Sequence, residues 1–446
     1  MTQGTIWKQL VLFALPLALA ALLQQSYNAF DSVIVGRFVS DEALAAVGSS
    51  GPLTMMIVAF FMGMSNGSGV LIAQFFGAKN TDELKNTVHT VILLSMLIGV
   101  GLAAVGITVA PLILRLIQTP DEVLVEAVVY LRVYFVGLPG LTVYNMGAAV
   151  LTATGDSKRP LYFLMLSMVI KVSLNLLFVL VFNMGVAAVA WSTVVAQVIN
   201  AVLVIRLLCR HPSIIRLNLR DLKIHKHILV RVLRLGLPGG IQGSIISFSN
   251  VIVQTYINRL GGMVMAGYGA AQRIDGFIMI PVQSLALGIS TFVGQNLGAG
   301  RVKRARGGVR TALTVGVGSV LLLSAIVYTF APSLLRIFTS SDEVIAHGLS
   351  FVRIFVPFYF LLCLVQVTSS ALRGSGNVKV PTIIGISCFV VLRQVYLFVV
   401  TLFTHTVTSV AVGFPLGWFV SAVLVLIYYI RSDWSKYERN DTENVI

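Results

Sequence analysis

Ala110-Pro111-Leu112-Ile113-Leu114-Arg115 and Ala331-Pro332-Ser333-Leu334-Leu335-Arg336 are two versions of one hexapeptide, 221 residues apart. The same shift pairs Asp121-Glu122-Val123 with Asp342-Glu343-Val344, and Arg132 with Arg353. It also pairs Gly67, Gln74, Gly77 and Ala78 with Gly288, Gln295, Gly298 and Ala299, and Leu151, Gly155, Lys158 and Pro160 with Leu372, Gly376, Lys379 and Pro381. Near the start the shift is 222, joining Leu15-Pro16 to Leu237-Pro238 and Arg37 to Arg259. One register held across so many segments is a duplication, so the chain is two copies of one unit.

What each copy contains follows from composition. Of 446 residues, 57% are hydrophobic and only 11% charged, with a mean hydropathy of +0.90. That excludes an ordinary soluble domain. A helix crosses a hydrocarbon core of ~30 Å in roughly 20 residues. Twelve such segments are expected, near 8–35, 45–76, 88–113, 123–153, 160–183, 185–208, 231–258, 263–297, 309–333, 345–373, 381–403 and 407–430. Long apolar runs disfavour a membrane barrel, whose strands are short and alternating. The fold class is therefore an all-α membrane protein. Six spans per copy is an even number, so both copies enter the membrane in the same direction. Parallel repeats of this kind belong to transporters whose two bundles rock around a central site, and a V-shaped arrangement is expected. The bundles are placed at 1–209 and 231–431, with a linker at 210–230 and a tail at 432–446.

The formal charge of +15 suggests nucleic acid until its placement is considered. If the N-terminus is inside, 23 of the 32 basic residues fall on inner segments, including Lys79, Lys85, the run Arg206–Arg234, Arg301, Lys303, Arg304, Arg306 and Arg310. Four fall outside (Arg37, Arg115, Arg259, Arg336) and five within spans. This asymmetry places both termini in the cytoplasm and assigns the basic loops to topology and lipid headgroups, with no nucleic-acid partner.

Catalytic chemistry has little to stand on. Cys209, Cys363 and Cys388 lie in or beside spans without metal-ligand spacing or a disulfide framework. The six His residues are scattered, no Gly-rich loop ends in Gly-Lys-Ser/Thr, and no nucleophile motif is present. No enzyme activity, cofactor or bound metal is expected. The N-terminal apolar run has a signal-like look, but its recurrence in the second copy argues against cleavage.

The informative residues are polar ones inside apolar segments. A charge in hydrocarbon costs at least ~2.5–3.5 kcal/mol, so it faces a bundle interior or a wet cavity. In the first segment Gln24, Asn28 and Asp31 share one helical face, with Tyr27 beside them. In the fifth, Lys171 and Asn175 are four apart. Near mid-span, Lys171 is poorly placed to snorkel. The seventh offers Gln242, Asn250 and Gln254, and the eighth a stripe of Gln272, Asp275 and Gln283, with Arg273 adjacent. The repeat mates of Asp31, Lys171, Asp275 and Arg393 are Val253, Leu392, Thr54 and Val172, so shared architecture does not explain these four. Interhelical hydrogen bonding is the structural alternative for the first-segment face. An Asp275 pair with Arg273 or Arg393 that only stabilises the bundle is the alternative in the second half. Arg132 and Arg353 occur in both copies and are expected to serve helix packing or to bind backbone. Gly155-Asp156 and Gly376-Asn377 are expected to form turns.

These residues resemble a known family. Tyr27-Asn28-Ala29-Phe30-Asp31-Ser32-Val33-Ile34-Val35-Gly36-Arg37 is similar to the first helix of multidrug and toxic compound extrusion (MATE) transporters. Gln295-Asn296-Leu297-Gly298-Ala299-Gly300 and Leu372-Arg373-Gly374-Ser375-Gly376 resemble that family too. The resemblance covers the whole chain and favours the bacterial DinF-like or NorM-like branches. It implies export of cationic, often aromatic compounds in exchange for protons or sodium ions. It also implies a cation site made from an acid of the first helix, an Asn and an Asp four apart on the fifth and a Thr on the sixth. Those positions are Asp31, Lys171, Asn175 and Thr193 here. Two depart from the pattern, since one ligand is a lysine and one acid an amide. The acids that NorM-type members carry in helices 7 and 10 are also missing.

The reading is a twelve-helix, ion-driven exporter of cationic amphiphiles in a bacterial inner membrane, working as a monomer and driven by protons rather than sodium. Coupling falls to Asp31, Lys171, Asn175 and Thr193. The substrate cavity falls to Gln24, Tyr27, Asn28, Gln242, Asn250, Gln254, Gln272, Asp275, Gln283 and Arg393. A flippase for a lipid-linked sugar or peptidoglycan precursor is the alternative. Lys171 is expected to lie against Asp31, in the place of the metal ion.

Overall fold

The computed structural model describes residues 1–117, 119–211 and 215–437. Helices account for nearly all of it: α1 (Ile6–Phe38), α2 (Asp41–Gly77), α3 (Thr81–Leu116), α4 (Asp121–Val136), α5 (Leu138–Ala153), α6 (Lys158–Leu180) and α7 (Val186–Arg210). The second copy supplies α8 (Lys226–Asn258), α9 (Gly262–Gly298), α10 (Val302–Arg336), α11 (Asp342–Phe355), α12 (Tyr359–Gly374), α13 (Lys379–Ile386), α14 (Arg393–Phe403) and α15 (Val407–Arg431). In hydrocarbon every backbone N–H and C=O must be satisfied within its own segment, which is why apolar runs become helices.

Among the described residues, ten helical stretches are long and apolar enough to cross a membrane, and α4 with α5 makes an eleventh if that bent pair is one span. A helix lies on each of the twelve expected segments, α8 occupying 231–258. The helix starts are capped where the sequence turns polar. Ser40 accepts from the Ala43 N–H, Asn80 from that of Glu83 and Ser341 from that of Val344. Thr406 and Ser409 form a reciprocal capping box on α15.

Three expected spans are interrupted. The segment 123–153 bends by 45° between Val136 and Leu138, where Pro139 lacks the N–H that would continue the ladder. The segment 345–373 passes through a 3-10 turn at Val356–Phe358, which contains Pro357. The segment 381–403 contains a π-helical turn at Ser387–Leu392, immediately before Arg393. The expected turns are present: Gly155 and Gly376 have φ of 105° and 85°, which a Cβ would strain. Arg132 Nε donates to the Ile107 carbonyl at 3.2 Å, a backbone-binding role.

The chain packs as two compact units, one of Leu19–Leu237 and one of Met1–Ala18 with Pro238–Ile446. Their limits fall beside Pro16 and Pro238, the matching prolines of the two copies, so each first helix begins in one unit and ends in the other. The boundaries expected from the repeat do not contain this exchange. Packing within each unit accounts for it. A Cβ on Gly67 of α2 would lie 2.4 Å from Gly236 Cα of α8. Its repeat mate Gly288 of α9 would meet Phe13 of α1 at 3.4 Å. Leu10 and Ala14 accordingly join the core of the unit that contains α9 to α15.

Part of the 210–230 stretch is docked. Ile215 and Leu217 are buried, the Asn218 N–H donates to His89 Nε2 at 3.2 Å, and the His225 N–H donates to Thr90 Oγ1 at 3.2 Å. His89 Nδ1 lies 2.8 Å from the Lys85 carbonyl, so the neutral tautomer with its proton on Nδ1 fits both contacts. Large apolar side chains such as Leu97, Val105, Leu112, Leu322 and Phe330 stay exposed, as a lipid-facing surface requires.

Candidate functional site

Two helices of the Leu19–Leu237 unit bring three polar residues together. The Lys171 ammonium on α6 donates to Asp31 Oδ2 on α1. One turn along α6, Asn175 Nδ2 donates to the other carboxylate oxygen, Oδ1, at 3.1 Å. The four-residue spacing of Lys171 and Asn175 is what lets both oxygens be reached from one helix face. The Lys171 side chain is only 1% exposed, against 15% for Asp31. Asn175 is fully buried, and among the described residues its Oδ1 has no hydrogen-bond partner.

Thr193, the fourth expected member, is buried on α7 but turns its hydroxyl to the Val189 carbonyl of its own helix, at 2.8 Å. The carboxylate is thus held by an ammonium and an amide. The side chains of Tyr27 and Asn28 lie outside the described residues, and Gln24 is exposed. Tyr130 on α4 is a neighbour unforeseen from the sequence: it interacts electrostatically with Asp31 and stacks on Tyr134 with ring centroids 6.4 Å apart. One turn before it, Glu126 has Oε2 buried with no partner among the described residues. The periodicity of 126, 130 and 134 could have exposed this stripe.

The other unit holds a second polar group. Arg393, just past the π-helical turn, is buried and donates from Nη2 to Ser249 Oγ at 2.9 Å and to Asn250 Oδ1 at 2.8 Å. Its guanidinium carbon lies 5.1 Å from the centre of the Phe414 ring, and Gln394 donates to Ser249. Asp275 pairs with neither arginine considered from the sequence. It accepts from the Tyr359 hydroxyl, while Arg273 lies over Phe338 at 5.5 Å. Gln272 bonds the Tyr268 hydroxyl, Gln254 donates to Asn258 at 2.8 Å, and Gln283 is exposed. Gln242 is buried, its Oε1 accepting from Arg373 at 3.0 Å and Thr382 at 3.4 Å. Phe351, Phe355, Phe414 and Trp418 form an aromatic cluster against Tyr268 and Tyr359.

With this geometry in view, comparison with known proteins decides the family. The MatE family model matches the chain twice, over residues 16–177 and 238–399. The chain belongs to the MatE family. Both MatE matches begin at the prolines where the units divide, and they are offset by the repeat shift of 222. The chain is 33% identical to the probable multidrug resistance protein YoeA of Bacillus subtilis over 98% of its own length and 96% of that protein's. It is 28% identical to YpnP of the same organism, also described as a probable multidrug resistance protein, over 97% of each. Its fold matches an outward-facing multidrug resistance MATE transporter of the MOP superfamily, with a TM-score of 0.90, 23% identity and 98% of both chains covered. The protein is thus a multi-pass membrane protein of a transporter family.

Among the described residues, no three His, Cys, Asp or Glu side chains gather to hold a metal ion. A sodium ion does not fit the Asp31 group as it stands, because the Lys171 ammonium already occupies the carboxylate.

Proposed function

We propose that this MatE protein is a secondary antiporter that exports organic cations from a bacterial cell in exchange for protons. The observation that carries the reading is the contact of Lys171 with Asp31, on an internal ammonium where the family resemblance implies a metal ion. With Asp31 ionised, the pair is neutral and its unit tolerates a bound cation. When Asp31 takes a proton, the carboxylate no longer balances the positive charge of Lys171. At a separation of ~8 Å and an effective dielectric of ~20, that charge repels a monovalent cation by ~2 kcal/mol, about thirtyfold in affinity. Proton uptake then expels the cation, and cation release favours proton uptake, as linkage requires. Asn175 holds the carboxylate through the cycle.

Several findings support the substrate class. The relatives named above are described as multidrug resistance proteins. Gln24, Asn250, Gln272 and Gln283 are exposed although they lie in apolar spans, and polar side chains are costly against lipid. Together with Asp275, Gln254 and the Arg393 group, they are the residues to test for substrate contact. The buried bonds of Gln242 suit a packing role better. The basic residues of the loops support cytoplasmic termini and an inner-membrane location.

Export into everted vesicles tests the reading. Wild type should accumulate a fluorescent cation under an imposed proton gradient and show no response to sodium, whereas Asp31→Asn should not accumulate it. Lys171→Asn, which supplies an oxygen ligand in place of the ammonium, should gain sodium dependence. Wild-type pumping by Asp31→Asn would end the assignment of coupling to this pair.

A further inference from the structure

A cavity of about 530 Å³ lies in the unit of α9 to α15, between the first turns of α10 and the end of α15. Lys303, Arg306, Arg310, Leu313, Thr314 and Tyr429 line it, and Gly307 leaves room between the cations. The three basic side chains are exposed. Among the described residues, no carboxylate forms an ion pair with any of them. Arg306 instead lies over the Trp434 ring at 6.0 Å. Tyr429 packs edge-on against the same ring, with centroids 5.6 Å apart. Three cations with no carboxylate partner among the described residues, set around one concave space, call for an anion.

The rest of the wall says what kind. Positions 303, 306, 310, 313, 317 and 321 of α10 form one stripe at helical spacing. It begins Lys, Arg, Arg and continues Leu313, Val317, Leu321. Leu313 and Val317 are half-buried and Leu321 is 50% exposed, so the apolar part of the stripe is partly open and most open at its far end. From Arg310 to Leu321 the helix rises about 16 Å, close to one leaflet of a ~30 Å hydrocarbon core. Tyr429, half-buried at the end of α15, marks the depth at which an amphipathic ring sits in a membrane interface. A free phosphate would need only the cations. An acyl chain explains the partly open apolar stripe that follows them.

The geometry points to a binding site for the phosphate of an anionic diacyl phospholipid, with the headgroup held by Lys303, Arg306 and Arg310 and a chain lying along Leu313, Val317 and Leu321. The site is separate from Asp31 and does not depend on the transport reading.

The test uses the purified full-length protein in detergent, titrated separately with phosphatidylglycerol, phosphatidylcholine and inorganic phosphate. Bound lipid is counted by native mass spectrometry, and the shift in unfolding temperature is followed in parallel. Phosphatidylglycerol should bind in preference to phosphatidylcholine, and inorganic phosphate should neither displace it nor reproduce its thermal shift. Arg306→Gln with Arg310→Gln should weaken phosphatidylglycerol binding about thirtyfold, at about fivefold per cation. Arg216→Gln with Lys223→Gln, which removes equal charge from the other unit, should leave it unchanged. Equal losses from the two charge pairs would show surface attraction in place of a site. Displacement by inorganic phosphate would show a free-anion site and overturn the lipid assignment. Because the comparison of the three ligands is made on wild type, a double variant that fails to fold does not protect the proposal.

Discussion

Lys171 stands where the family resemblance implies a cation ligand, and its energetics can be separated from the transport role proposed for it. A buried ion pair is weak evidence of stability, because desolvation offsets most of the attraction, but removing one partner costs about 3–5 kcal/mol. Asp31→Asn and Lys171→Asn should each lower the unfolding temperature in detergent. The double variant should recover much of the loss, since neither charge is left alone. A coupling of about 1–3 kcal/mol in this cycle is expected for residues in direct contact. Strictly additive losses would show that the two side chains do not depend on each other. The pair was legible in the sequence: a lysine and an aspartate, each present in one copy of the repeat only, were both too costly to leave alone in hydrocarbon. Its neighbours were less so. Thr193 satisfies its hydroxyl within its own helix, which a serine or threonine in any helix can do. Tyr359 meets Asp275 from a different helix, a contact that no spacing within one segment reveals.

At the scale of elements, the apolar runs were readable because a membrane span has a fixed length. The interruptions were not, because each depends on local hydrogen bonding that hydropathy does not register. The π-helical turn at Ser387–Leu392 is of this kind. It gives α14 a new phase, and Arg393 directly after it reaches both Ser249 and Asn250. The close approach of α2 and α8 was visible only as a paired glycine, Gly67 with Gly288. The structure gives it a measurable consequence. A Cβ on Gly67 would stand 2.4 Å from Gly236 Cα, against backbone that has no rotamer to yield. Gly67→Ala should therefore destabilise the protein by about 1–3 kcal/mol, the usual cost of overpacking. Gly101→Ala on α3, where nothing lies within 4 Å, should be neutral or gain up to ~1 kcal/mol from helix propensity. Thermal unfolding of the two variants side by side checks this, and equal effects would mean that the contact carries no strain.

At the scale of the whole molecule, the proposed exchange makes a claim about charge. One ionisable pair that alternates between Asp31⁻ with Lys171⁺ and Asp31 protonated with Lys171⁺ carries one proton per cycle. If a monovalent cation leaves as that proton enters, no net charge crosses the membrane. A membrane potential moves an exchange only through its net charge, at ~2.3 kcal/mol per elementary charge per 100 mV. An electroneutral cycle is blind to it. In proteoliposomes, a pH gradient alone should therefore drive uptake of a monovalent cation. Clamping the potential with valinomycin and potassium should leave the initial rate unchanged. A divalent cation would make the same cycle sensitive to potential, so the pair of substrates controls for leak. If the monovalent substrate also responds to the potential, a second charge moves with each cycle. Asp275 is then the residue to examine, because it is half-buried, bonded to Tyr359, and forms no ion pair among the described residues. Asp275→Asn would restore electroneutral exchange if it carries that second proton, and would leave the response to potential intact if the second charge moves on another group.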